Sequence, residues 1–161
     1  MAEPTAQSSI DIAAPPALVY ELVSNVPEMP RWAAENDRCV WIGGADGAVI
    51  GARFRGRNQH RGRRWATICE VTEADPSRRF GFKVRVANLP SALWRYDIEP
   101  SDSGCRVTES TRRLTPRLLA RVVNRVLFGI RDRDVHNQRN IERTLAQLKE
   151  YAEAAAADKP A

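Results

Sequence analysis

No apolar run in this chain approaches the ~20 residues that cross a bilayer as a helix, which argues against a membrane-spanning segment. Cysteine is scarce. Cys39, Cys69 and Cys105 are odd in number, far apart and set in alternating segments, so they read as buried thiols behaving like small hydrophobes. The two histidines, His60 and His136, have no cysteine close by, and no metal site is expected. There is no Gly-x-Ser-x-Gly elbow, P-loop or dinucleotide fingerprint, so no cofactor is expected either. Residues Met1 to Ser9 lack the basic start and apolar stretch of a secretory signal, which makes the cytoplasm the expected location. Lysine is nearly missing as well. Of 25 basic residues 22 are arginine, and the net charge is +5.

What is present fits one ordinary domain. The 161 residues are 43% hydrophobic and 28% charged, enough to build a core without staples. No repeat or linker divides them. The expected organisation is a flexible start at 1–7, a single domain at 8–153 and a flexible tail at 154–161.

The charge has two readings. Six arginines fall between Arg53 and Arg64, which suits nucleic acid or an anionic surface. In Arg53-Phe54-Arg55-Gly56-Arg57-Asn58, however, the arginines alternate, so a strand places all three on one face and Phe54 on the other. Base stacking needs aromatics on the basic face. A solvated sheet face is therefore preferred, with nucleic acid unlikely.

Periodicity gives the order of elements. Ser9 to Ala13 reads as a strand, and Pro15-Pro16 opens a helix whose apolar face is Leu18, Val19, Leu22 and Val23. Pro27 and Pro30 bracket a second short helical segment. From 38 to 113 the period is two, giving six strands separated by turn clusters at 60–62, 75–77, 88–91 and 101–104. The first hairpin should place Arg53 opposite Glu70 on the outer face. After Thr115, a plausible N-cap, and Pro116, a helix runs to a break at Gly129; it could pack separately, form a lid or supply a dimer face. A long final helix carries Asn137, Ile141, Thr144, Leu145, Leu148 and Ala152 in one stripe. Together these predict an α+β fold with a curved antiparallel sheet wrapped around a C-terminal helix.

Parity points Phe54, Trp65, Phe80, Phe82, Trp94 and Tyr96 inward, yet Gly56, Asn58, Thr67 and Glu109 share those faces. Buried polar groups without partners are costly, so this mixture predicts a cavity rather than a solid core.

The same order of elements resembles the helix-grip plan of the START-like (SRPBCC) superfamily. The stretches Ile10-Asp11-Ile12-Ala13-Ala14-Pro15, Val19-Tyr20-Glu21-Leu22-Val23-Ser24, Met29-Pro30-Arg31-Trp32, Gly51 to Asn58 with Trp65, Val107-Thr108-Glu109-Ser110 and Arg133-Asp134-Val135-His136-Asn137 are similar to its polyketide cyclase/dehydrase-related bacterial branch. The resemblance covers about residues 8 to 152. It implies about seven strands and a small hydrophobic or amphipathic ligand, lipid-like or polyketide-like; some members catalyse cyclisation or dehydration. Ligand contacts are then expected from Trp41, Phe54, Asn58, Trp65, Thr67, Phe82, Trp94, Tyr96, Asn137, Ile141 and Thr144. If the protein is an enzyme, Glu109 is the candidate base and His136 the candidate proton shuttle. The plainer alternatives are a Glu109 ion-paired to Arg113 and an exposed helical His136. His60 is expected in a turn, solvated.

Overall fold

A computed structural model describes residues 3–158. Strand β1 (Ala6–Ile12) leads through Pro15 into α1 (Pro16–Ser24) and a 3-10 helix at Val26–Arg31. The meander follows as β2 (Asn36–Ile42), β3 (Arg53–His60), β4 (Arg63–Asp75), β5 (Arg79–Val86), β6 (Leu89–Ser101) and β7 (Gly104–Arg113). These strands form one antiparallel sheet in the order β1-β7-β6-β5-β4-β3-β2. The chain then makes α2 (Arg117–Val123), a π-helical turn at Asn124–Phe128 and the long α3 (Arg133–Asp158). This is the helix-grip α+β architecture.

Alternation decides which face is buried. Along β3 the residues Arg53, Arg55 and Arg57 are exposed, while Phe54, Gly56 and Asn58 are buried. Arg53 does pair with Glu70, and Phe54 with Cys69. The Arg57 guanidinium lies 2.6 Å from Asp37, so part of the basic face is locally neutralised. Such exposed pairs contribute little to stability. On α3, the predicted stripe of Asn137, Ile141, Thr144, Leu145, Leu148 and Ala152 is buried throughout. Its Ile141, Leu145, Leu148 and Ala152 pack with Phe54, Phe80, Tyr96 and Val107 of the sheet and with Val19 and Val23 of α1 in one hydrophobic core. All three cysteines are buried, and burial pushes the Cys69 thiol up to about 12, leaving it neutral.

Several boundaries differ from the sequence reading, each for a local reason. Residues Ala6 and Gln7 are not loose, because they pair with Thr111 and Ser110 in β1 and β7. The tail from Ala154 stays helical to Asp158, since its alanines have the highest helix propensity; the rest of the expected tail, 159–161, and residues 1–2 lie outside the described residues. The β5–β6 turn is only Ala87-Asn88, both at positive φ, so Leu89, Pro90 and Ser91 belong to β6. Proline is accepted there at a register shift beside Arg85. Thr115 does not cap α2. Its hydroxyl donates to the Pro90 carbonyl, and the helix starts after Pro116 without a side-chain cap. Gly129, at φ 70°, ends the segment in the left-handed conformation.

Candidate functional site

Between the concave sheet, α2 and the first half of α3 lies a cavity of about 280 Å³. Its floor follows from strand register. Phe82 pairs with Trp94, Tyr96 with Glu109, and Asn58 with Trp65, so inward residues of five strands converge. Phe54 meets Phe82 edge-on at 5.2 Å, and Trp65 stacks on Phe128 at 4.6 Å, joining the sheet to the π-helical turn. At Gly56 a Cβ would lie 2.9 Å from Thr67 Oγ1, so only glycine lets Thr67 donate to the Gly56 carbonyl. Asn58 in turn donates to Thr67, at 3.3 Å. These polar groups satisfy one another.

Glu109 is different. It is only 3% exposed, and its Oε1 accepts a 2.9 Å hydrogen bond from the Tyr96 hydroxyl. Its Oε2 is buried with no partner among the described residues. Burial pushes the carboxyl up to about 8, outweighing the opposing hydrogen bond from Tyr96, so Glu109 is mostly neutral at pH 7. Burial, with Glu109 adding to it, likewise drives the Tyr96 phenol well above its ordinary value. The suggested ion pair to Arg113 does not form, because Arg113 reaches Asp134 at 3.0 Å instead. Asn137 supplies a second buried atom, Oδ1, that has no partner among the described residues and lies on the same cavity. A neutral carboxyl can donate through the proton on Oε2, and the Asn137 carbonyl can accept. The cavity thus combines apolar walls with two buried polar groups.

Of the residues proposed from sequence, Phe54, Asn58, Trp65, Thr67, Phe82, Trp94, Tyr96, Glu109, Asn137 and Thr144 line this cavity. Thr144 also accepts a hydrogen bond from the Ala34 amide at 3.1 Å, which ties the loop before β2 to α3. Three candidates are placed elsewhere. Trp41 packs edge-on against Phe54 at 5.7 Å, and Ile141 is sealed in the core. His136 lies outside the cavity lining, in a polar cluster at the start of α3.

That cluster was not visible from spacing. Glu35 takes both guanidinium nitrogens of Arg133, at 3.1 and 2.8 Å, and lies 2.9 Å from His136 Nε2. Burial acts to raise the Glu35 carboxyl, but the bonds from His136 and Arg133 prevail and hold it below the usual range. His60 stands at the edge of the expected hairpin turn and is partly exposed. It ends β3, and its ring meets His136 at 4.5 Å; burial and the neighbouring imidazole push its pKa down. The donor atoms of Glu35, His60 and His136 lie within 4.8 Å of one another, the spacing at which such a set can gather a metal ion. Arg133 already bonds both carboxylate oxygens, including the Oε1 that His136 contacts, so an ion would have to replace the Glu35–His136 contact. Glu35 and Asn140 border both this cluster and the cavity. Sequence reasoning also missed Leu119 and Phe128 as cavity walls.

The sheet gripping a C-terminal helix over a lined cavity defines the START-like class. Comparison with known families gives the same answer more narrowly. The profile described as polyketide cyclase/dehydrase and lipid transport matches residues 3–153, and the chain belongs to that family. Among solved structures, it is 31% identical to the Polyketide_cyc-like protein Cgl2372 from Corynebacterium glutamicum, covering 96% of this chain and 95% of that one with a TM-score of 0.63. NE0264 from Nitrosomonas europaea shares the fold at 18% identity and a TM-score of 0.67, with 97% and 99% of the two chains covered. DynU16, a protein in the dynemicin biosynthetic locus, does so at 12% identity and a TM-score of 0.64, over 94% of this chain and 48% of its own. No curated protein sequence matches. Among the described residues, no helix is long and apolar enough to cross a membrane.

Proposed function

We propose that the protein binds a small apolar or amphipathic molecule, lipid-like or aromatic and polyketide-like, in the cavity between the sheet and α3. The observation that carries this reading is the pair of buried atoms Glu109 Oε2 and Asn137 Oδ1, without partners among the described residues, on an otherwise largely aromatic and aliphatic wall. Leaving such atoms unpaired is costly; a ligand hydroxyl or carbonyl can accept from the protonated Glu109 Oε2, and a ligand hydroxyl can donate to Asn137 Oδ1. The cavity sits near the lower end of the size range for small-molecule sites, which favours a compact ring system or short chain. The family description, with its cyclases and lipid transporters, supports the same class. Isothermal titration against a panel of acyl chains and polycyclic aromatic ketones tests it. Val84 borders the cavity, so Val84→Trp should fill the space and abolish binding while the fold persists. Equal binding by the filled variant would place the ligand elsewhere and end this reading.

A second reading, turnover by a cyclase or dehydratase, is favoured by Glu109 alone. A carboxyl with its pKa near 8, beside the Tyr96 hydroxyl, is poised to move a proton at neutral pH. Glu109→Gln should then abolish turnover of a bound polyketone while retaining its binding. His136 would have no direct part, since it lies off the cavity wall.

A further inference from the structure

The helical segment from Arg117 to Phe128 has two apolar sides. Ala120, Val123 and Phe128 face the cavity. Leu118, Val122 and Val126 face solvent, at 77%, 55% and 64% exposure. Leu119, Leu127 and Leu89 are both exposed and on the cavity lining, so they mark its rim. A surface helix normally turns its apolar stripe inward. Here a second stripe is left in water, beyond the isolated exposed apolar residues that ordinary surfaces carry.

The charge around it is one-sided. From Ser110 to Arg131 the sequence holds six arginines and no acidic residue. Arg121 and Arg125 lie on the exposed side, and neither makes an ion pair among the described residues. Arg113 of this group pairs with Asp134 at 3.0 Å. A second copy docked through the same face by two-fold symmetry would set one arginine-bearing surface against another of the same sign, which opposes a dimer through this face. A phosphate backbone offers nothing to the aliphatic stripe. Aliphatic side chains beside unpaired arginines match the surface of an anionic bilayer, where the former enter the acyl boundary and the latter meet lipid phosphates.

We infer that the outer face of this helical segment docks on anionic lipid membranes, setting the cavity rim at Leu89, Leu119 and Leu127 against the bilayer. The inference stands on the surface alone and does not depend on what the cavity binds. The segment is also held as a unit. Arg63 of β4 donates to the Val126 and Leu127 carbonyls at 2.7 and 3.3 Å, closing the C-terminal end of the π-helical turn.

Flotation with vesicles of phosphatidylcholine, with and without phosphatidylglycerol, tests it on the full-length protein. Binding is expected only with phosphatidylglycerol, and it should weaken as salt is added. Arg121→Gln and Arg125→Gln should each lower the partition coefficient about fivefold. The triple variant L118E/V122E/V126E should stay in solution with an unchanged urea midpoint, because the replaced side chains are exposed. Failure of the parent protein to float with anionic vesicles at low salt would overturn the inference. So would flotation of the triple variant equal to the parent's, which would assign the attraction to another basic face such as β3. A concentration-dependent dimer in sedimentation, lost in the triple variant and accompanied by no flotation, would reassign the face to a second copy and refute membrane docking.

Discussion

Replacing Glu109 by glutamine isolates the electrostatic character of the cavity. The native carboxyl ionises near 8, against an ordinary value of 4.5, because burial disfavours its charge. Between those two values the folded protein keeps a proton that the unfolded chain releases. Stability therefore falls as pH rises, by about 1.4 kcal/mol or tenfold in the folding equilibrium per pH unit. The contribution is fully present below 4.5, is lost across the interval and levels off above about 8, for a total of about 5 kcal/mol. Glutamine cannot titrate, so the stability of Glu109→Gln relative to the parent should climb with that slope from about pH 5 to about pH 7.5. Taking the difference between the two proteins cancels every other titrating group. Urea unfolding at a series of pH values, with equal denaturant slopes for both proteins, supplies the measurement. Parallel curves over this range would refute the reasoning. They would mean that Glu109 ionises as it does in water and that the cavity floor is wet.

Other consequences follow from the same contacts. Because the Tyr96 hydroxyl lowers the Glu109 pKa, Tyr96→Phe should move the carboxyl titration higher, as read by carbon NMR of that side chain. Gly56→Ala sets a Cβ 2.9 Å from Thr67 Oγ1, and should cost about 1–3 kcal/mol in urea unfolding. Adding Thr67→Ala removes the clashing atom and should return part of that loss. Ile141→Ala should cost about 2–5 kcal/mol while leaving ligand affinity unchanged, because Ile141 is in the core and off the cavity. Glu35, held low by His136 and Arg133, stabilises the fold above its unfolded pKa and loses that contribution as pH falls through the folded value. Glu35→Gln should therefore flatten the acid limb of the stability profile, a change checked by urea midpoints below about pH 5.

How far the sequence carries the structure depends on the range of the interaction. Parity within a strand is local, so the outward arginines of β3, the inward aromatics and the Arg53–Glu70 pairing could all be read in advance. The stripe on α3 was legible for the same reason, since a single helix fixes its own faces. Periodicity names a face but not the depth along it. Trp41 and Ile141 share the inward parity of true cavity residues yet lie away from the open space. Contacts between distant segments left no local mark. Glu35 and His136 are 101 residues apart, and only the closing of β2 and β3 against the start of α3 brings His60 to them. The β5–β6 turn was misjudged because Pro90 suggested a loop, whereas the positive φ at Ala87 and Asn88 makes the reversal two residues earlier.

Native mass spectrometry of the purified protein, followed by denaturing extraction, tests occupancy of the cavity most directly. The expected result is a reproducible adduct of a few hundred daltons that disappears in Val84→Trp, the variant that fills the space. A parent protein that carries nothing, with no thermal shift from acyl chains or polycyclic aromatic ketones, would contradict it.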